Sequence, residues 1–295
     1  MKAVGSLPLK FHLRCGKAVG KIVGGLLGYR RDVVMTNLSR SFPTLKYAAL
    51  SKIRKDFYTS LGYIFAEALW FGASNAKRLR KQKIVQIANP EEMQKAYDGA
   101  PGVVVMDGHF GNWELYGGIQ QYNFTDRPFP ATEKNTVVVY KEMANHFWDE
   151  ILRDNRLSPL KDKKKFEGYI EGGNVVRYMF SHRDEKKIYV FNTDQSPYSQ
   201  SPSNIDLEFL HQPTRTMTAC ASVAHKFGFA VVYSSMRRAS PGEYSITYTT
   251  ICPDASKMSV EDITKQFYAL LQTDIEEQPA NYIWSHKRWK MDVQL

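Results

Sequence analysis

The chain predicts a mixed α/β fold: a mostly parallel central sheet flanked by helices, behind an N-terminal helical section. Three observations carry that reading. Five short β-branched or aromatic runs alternate with helical stretches beyond residue 100. The first of those runs, GVVVMDG at 102–108, is apolar without alternation, the pattern of a strand covered on both faces. The first 90 residues, by contrast, show helical periodicity and hold all of the excess positive charge.

Taken in order, LPLKFHLRCGKAVGKIVGGLLGYRR (7–31) interleaves Lys10, Arg14, Lys17 and Lys21 with Cys15, Val19, Ile22 and Leu26 at helical spacing, joined by Val23 and Leu27. It contains no uncharged stretch of ~18 residues, so a spanning helix is not expected. The charges run through what would be the apolar centre of a signal peptide, and no small-residue cleavage site follows. The segment reads as a basic amphipathic helix lying in a membrane interface. Residues 1–90 carry 17 Lys+Arg against Asp32, Asp56 and Glu67, whereas the whole chain has a net charge of +10, so the remainder is slightly acidic. That asymmetry points to an anionic partner surface. Residues 29–85 continue as helices, broken at Ser41–Pro43. Within 46–72, Ala49, Ile53, Tyr58, Leu61, Ile64 and Ala68 recur with a period near 3.6.

The texture then changes. Strands are expected at 102–108, 135–141, 186–194, 229–238 and 243–251, and helices at 113–121, 142–156, 166–181, 216–227 and 259–277. Residues 1–90 are expected to form a basic, membrane-associating helical section, and residues 91–295 an α/β domain, packed as one structural unit. The 295 residues, 43% hydrophobic and 24% charged, can bury a sizeable core and exclude wholesale disorder. Cys15, Cys220 and Cys252 are odd in number and far apart, which predicts neither a disulfide framework nor a metal-ligand spacing and fits a reducing compartment.

The chemistry concentrates in VVVMDGHFGNWELYGG (103–118). A strand ending in GHFGN and continuing as NWELYGGIQQY places His109 at a strand mouth, where clefts of open α/β sheets form. Asn112 is a plausible N-cap, and Glu114 falls in the first helical turn. Five residues do not share a helix face. A histidine in the turn can nevertheless reach back, so that Glu114 accepts its Nδ1 proton and Nε2 is left as a base. A structural turn histidine bonded to a nearby acid fits the spacing equally well. No G-x-S-x-G elbow, Walker loop or dinucleotide fingerprint is present, and His109 and Glu114 lack a third metal ligand.

HFGNWE (109–114) resembles the H-x-x-x-x-(D/E) motif of the lysophospholipid acyltransferase superfamily. Its context is similar to the late acyltransferases of lipid A biosynthesis. LGYRRDVVMTNLSRSFP (27–43), VYKEMANHFWDEILRDNR (139–156), NTDQSP (192–197), FLHQPTRTMTACASVAHKFGFAVVYSSMRR (209–238) and QPANYIWSHKRWK (278–290) resemble further blocks of that family, in its order. Two departures stand out: FLHQPTRT lacks the family's usual glycine after the phenylalanine, and the N-terminal apolar helix is shorter and more charged than in many members.

The resemblance implies transfer of a fatty acyl chain from acyl carrier protein, or from a coenzyme A thioester, to a hydroxyl of a lipid A precursor. No cofactor or metal is implied. His109 would be the general base, oriented by Glu114, and backbone N–H groups at Gly111 and Asn112 would face the oxyanion. Arg153 and Arg156 would hold anionic groups of the substrates. Asp194 and Gln195 would line the cleft, and His286 and Arg288 would contact phosphate or membrane. Trp113, Tyr116, Trp284 and Trp289 read as core or membrane-belt residues. The implied partners are acyl carrier protein, an anionic membrane lipid acceptor and the cytoplasmic face of a Gram-negative inner membrane, bound peripherally or by an N-terminal anchor. An ornithine- or glycerol-based lyso-lipid acceptor is the alternative. A non-catalytic nucleic-acid-binding protein is the reading from another class, and no nucleic-acid module supports it.

Overall fold

The computed structural model describes residues 2–142, 145–160, 166–197 and 203–290. The N-terminal section forms α1 (Lys2–Gly5), α2 (Leu9–Lys21) continued by a π turn over Ile22–Leu26, α3 (Arg31–Ser41), α4 (Tyr47–Phe71) and α5 (Ala76–Gln82). The break before Pro43 falls where the sequence places it, because proline disfavours helix for the residue before it. Asn75 starts α5, its side chain accepting the Arg78 N–H.

α2 packs along α4 through glycine. A Cβ at Gly16 would run into the carbonyl of Gly62, and one at Gly20 into that of Tyr58. The buried face of α2 is therefore Leu9, His12, Gly16 and Gly20, while Phe11, Cys15, Val19 and Ile22 remain exposed beside Lys10, Arg14, Lys17 and Lys21. Among the described residues no helix is long and apolar enough to cross a membrane.

The remainder comprises β1 (Val85–Ile87), α6 (Pro90–Gly99), β2 (Val103–Asp107), a 3₁₀ segment (Trp113–Gln121), β3 (Thr136–Tyr140), α7 (His146–Arg156), β4 (Tyr169–Glu171), α8 (Val175–Ser181), β5 (Ile188–Asn192), β6 (Ile205–Phe209), β7 (Gln212–Thr216), α9 (Ala219–Phe227), β8 (Ala230–Ser240), β9 (Glu243–Cys252) and α10 (Val260–Glu277). The seven-stranded sheet runs β1-β9-β8-β2-β5-β3-β4, and only the β8–β9 pair is antiparallel. Helices cover both faces. Val104 and Met106 of β2 face α9 and α10, whereas Val103 and Val105 face the 3₁₀ segment, α6 and Trp70 of α4. The expected α/β class with a mostly parallel sheet is what the structure shows. β1 lies before residue 90, so the first section also contributes an edge strand.

Several expected elements differ. The helix expected over 166–181 is β4, a short 3₁₀ turn at Gly172–Asn174 and α8, because Tyr169–Glu171 pairs with β3 and two glycines then break the run. The helix expected over 216–227 begins at Ala219, since Gln212–Thr216 forms a hairpin with β6. The stretch 113–121 winds as 3₁₀ rather than α. Of the helix expected over 142–156, Met143 and Ala144 lie outside the described residues, and the described helix starts at His146.

Candidate active site

β2 and β5 are neighbours in register, with Asp107 opposite Asn192. The chain therefore leaves both strands at one point on the sheet edge, and that pairing brings His109 to Asp194. Two glycines make room for the turn. A Cβ at Gly108 would meet Leu271 at 2.9 Å, and Gly111 takes φ +71° against the Met236 carbonyl, a conformation and an approach that suit only glycine.

His109 Nδ1 lies 2.6 Å from Asp194 Oδ1, and the Asp194 side chain is 1% exposed. Burial opposes ionisation of Asp194, but the charge and hydrogen bonds of His109, joined by Arg288, outweigh it and hold the carboxyl below its usual range. A carboxylate there accepts the Nδ1–H hydrogen bond, which assigns the tautomer and leaves the Nε2 lone pair available. Gln195 Nε2 stands 2.9 Å from that nitrogen and donates to it. Trp113 packs edge-on to the imidazole, ring centres 5.0 Å apart.

Glu114 does not orient His109. It receives Arg156 Nε and Nη2, each at 2.8 Å, on its two oxygens, while Arg156 Nη1 donates to Tyr169 OH at 2.8 Å. Burial alone would weaken the Arg156 charge, and the Glu114 carboxylate more than reverses that. The physical reason is that a largely buried guanidinium requires a carboxylate, and the 3₁₀ segment turns Glu114 toward α7. Asp194, arriving from the next strand, fills the place expected for Glu114.

The other expected site residues separate into groups. Arg153 is exposed on α7. Gly111 is not a free oxyanion donor, because its N–H donates to the Asn281 carbonyl at 3.1 Å. Asn112 is fully buried, donating to Glu67 at 2.8 Å and accepting from the Glu114 N–H at 3.3 Å. Arg288, 2% exposed, donates to the Arg215 carbonyl and to Tyr268 OH, so it supports Asp194 from within rather than facing solvent. His286 lies near both His109 and Asp194. Burial, only partly opposed by Asp194, pushes its pKa down to about 4 and keeps the ring neutral.

A cavity of about 610 Å³ opens at His109 and Gln195. Val138, Val190, Met217, Cys220 and Val223 supply its apolar walls, while Arg156 lines its polar side. Trp113 and Tyr116, expected as core or belt residues, also line it. Asp107 sits there too, 2% exposed, its Oδ1 without a partner, and burial raises its pKa well above the usual carboxylate range. Asp107 and Glu67 carried no recognisable spacing signal, since each becomes notable only through its burial. A second depression of about 510 Å³ lies between β6 and α10, lined by Asp206, Lys265 and Gln272, and holds no histidine or cysteine. Among the described residues no three His, Cys, Asp or Glu side chains converge on a point a metal ion could occupy.

The family model described as bacterial lipid A biosynthesis acyltransferase matches residues 1–291. No curated protein matches the chain. A match over nearly the whole length, on a fold that sets a histidine–carboxylate pair at the mouth of an apolar cavity, leaves a single assignment: the chain belongs to the bacterial lipid A biosynthesis acyltransferase family.

Proposed function

We propose that the protein moves a fatty acyl chain from an acyl carrier protein thioester, or a coenzyme A thioester, to a hydroxyl of a lipid A precursor. His109 is the general base and Asp194 holds it. Nε2 takes the hydroxyl proton, the oxygen attacks the thioester carbonyl, and a tetrahedral oxyanion forms. Collapse breaks the C–S bond, and the proton on His109 passes to the leaving thiolate. General base help of this kind is typically worth ~10²–10⁴-fold. Gln195 occupies the place the acceptor hydroxyl must take. Once displaced, its amide N–H remains beside the reacting carbons and can donate to the oxyanion. The apolar cavity accepts the acyl chain, and the Arg156–Glu114 pair orders its polar wall. The exposed apolar and basic stripes of α2 support residence at the cytoplasmic face of an inner membrane.

The observation that carries this reading is the 2.6 Å His109–Asp194 contact at the opening of an apolar cavity. The test is to incubate purified protein with a panel of acyl carrier protein and coenzyme A thioesters and a tetra-acylated precursor, then weigh the products. Wild-type protein should add one acyl chain, and His109→Ala should not. Offering an ornithine- or glycerol-based lyso-lipid in the same mixture separates the acceptors; acylation of that lipid alone would overturn the lipid A assignment.

A further inference from the structure

Glu67 lies on α4 with no exposed surface. Its Oε2 accepts from Asn112 Nδ2 at 2.8 Å and Tyr244 OH at 2.6 Å, and its Oε1 accepts from the Gly242 N–H at 3.0 Å. Burial raises its pKa, and Arg238 together with those donors works against the rise. A buried carboxylate is expensive even when paired, and packing α4 on the sheet needs apolar contacts only. One of its three donors is the residue three beyond His109.

Asn112 spends its whole amide on this arrangement: Nδ2 donates to Glu67 at 2.8 Å and, at a longer 3.5 Å, to the Ile64 carbonyl of the same helix, and Oδ1 takes the Glu114 N–H. A second tie runs from the same face of α4, seven residues earlier. Ser60 Oγ donates to Asn281 Oδ1 at 2.9 Å, and the Asn281 carbonyl receives the Gly111 N–H at 3.1 Å. Arg238 joins the two ties, donating to Asn281 Oδ1 at 2.7 Å and to Tyr244 OH at 2.7 Å. The turn that carries His109 is thus gripped at Gly111 and Asn112 by the helix on which α2 rests.

We propose that Glu67 is a positioning residue for acyl transfer: from the N-terminal helical section it fixes, through Asn112, the turn that carries His109. The claim rests on the acyl-transfer reading only for its kinetic readout. Misplacing a base by about 1 Å costs on the order of 10²-fold without weakening ground-state binding.

The test compares Glu67→Gln, Tyr244→Phe and the reciprocal pair Glu67→Gln/Asn112→Asp, each below its own melting temperature. In the reciprocal pair the amide and the carboxylate exchange ends, so the contact is restored. Glu67→Gln should lower kcat ~10–100-fold with KM for the acyl donor within ~3-fold. Tyr244→Phe, which removes a different donor from the same carboxylate, should keep kcat within ~3-fold. The reciprocal pair should regain at least ~10-fold over Glu67→Gln, a recovery that a merely structural role does not predict. Wild-type kcat in Glu67→Gln, equal loss in Tyr244→Phe, or no recovery in the pair overturns the proposal. If Glu67→Gln fails to fold, the pair decides alone: kcat within ~3-fold of wild type supports the proposal, and any larger loss overturns it. Hydrogen exchange needs no substrate and stands even if wild-type protein transfers no acyl chain, which would end the reading above instead. Amides of residues 110–114 should exchange at least ~10-fold faster in Glu67→Gln than in wild type while β3 and β5 do not change; unchanged protection of the turn overturns the proposal.

Discussion

Arg156 grips Glu114 with two parallel hydrogen bonds of 2.8 Å, Nε to one carboxylate oxygen and Nη2 to the other. The pair joins α7 to the segment that follows His109, and neither side chain is more than a quarter exposed. Breaking it leaves a poorly solvated charge. Arg156→Met should therefore cost about 3 kcal/mol in urea unfolding, and Glu114→Gln/Arg156→Met together should cost less than the two single changes added. Strict additivity in that cycle would refute the coupling.

Asp194 and Glu114 should differ in kinetics. Asn at 194 presents an amide to Nδ1 and no longer selects the tautomer that leaves Nε2 basic, so Asp194→Asn should lower kcat at least ~100-fold. Glu114→Gln should lose at least ~10-fold less, its main effect being on stability. Steady-state kinetics of the two purified variants, with folding checked by circular dichroism, decide the order.

His286 predicts an acid-sensitive fold. Its folded pKa of about 4 lies below the usual imidazole value of 6.5, so the unfolded chain binds the extra proton between those values. Stability from this group is complete above pH 6.5 and is lost as pH falls toward 4. The loss is about 2 kcal/mol once solvent screening of a partly exposed ring is allowed for. His286→Phe should flatten that part of the profile, as read from urea midpoints at pH 7 and pH 4.5.

The β6–β7 hairpin turns through Leu210 and His211 at φ +51° and +58°. Both positions of this tight turn favour Gly, Asn or Asp. Leu210 is buried and anchored, whereas His211 is exposed. His211→Gly should raise stability by about 0.5–1 kcal/mol, the relief of left-handed strain less the added chain entropy. A lowered thermal midpoint would contradict this.

The same turn shows why parts of the fold were hidden in the sequence. Without glycine or asparagine between them, IDLEF and QPTRT give no hairpin signal, and the family's missing glycine marks the spot only in hindsight. β2, β5, β8 and β9 were legible because burial on one or both faces demands long β-branched and aromatic runs. His109 was legible from its strand mouth, and Asp194 from its place just past another strand. What single-chain reading does not supply is register: the pairing of Asp107 with Asn192 decides that Asp194, and not Glu114, reaches the imidazole. Periodicity found the two stripes of α2 but not which face packs, because glycine adds nothing to hydrophobic periodicity while permitting the closest helix approach.

That backbone-to-backbone seam between α2 and α4 divides the labour of the first helix. A Cβ at Gly16, Gly20 or Gly62 would run into backbone of the facing helix, so a larger residue at any of the three forces the helices apart. The outward rows of Phe11, Val19, Lys17 and Lys21 are exposed and lie off that seam, so they can change without disturbing the contact between the two helices.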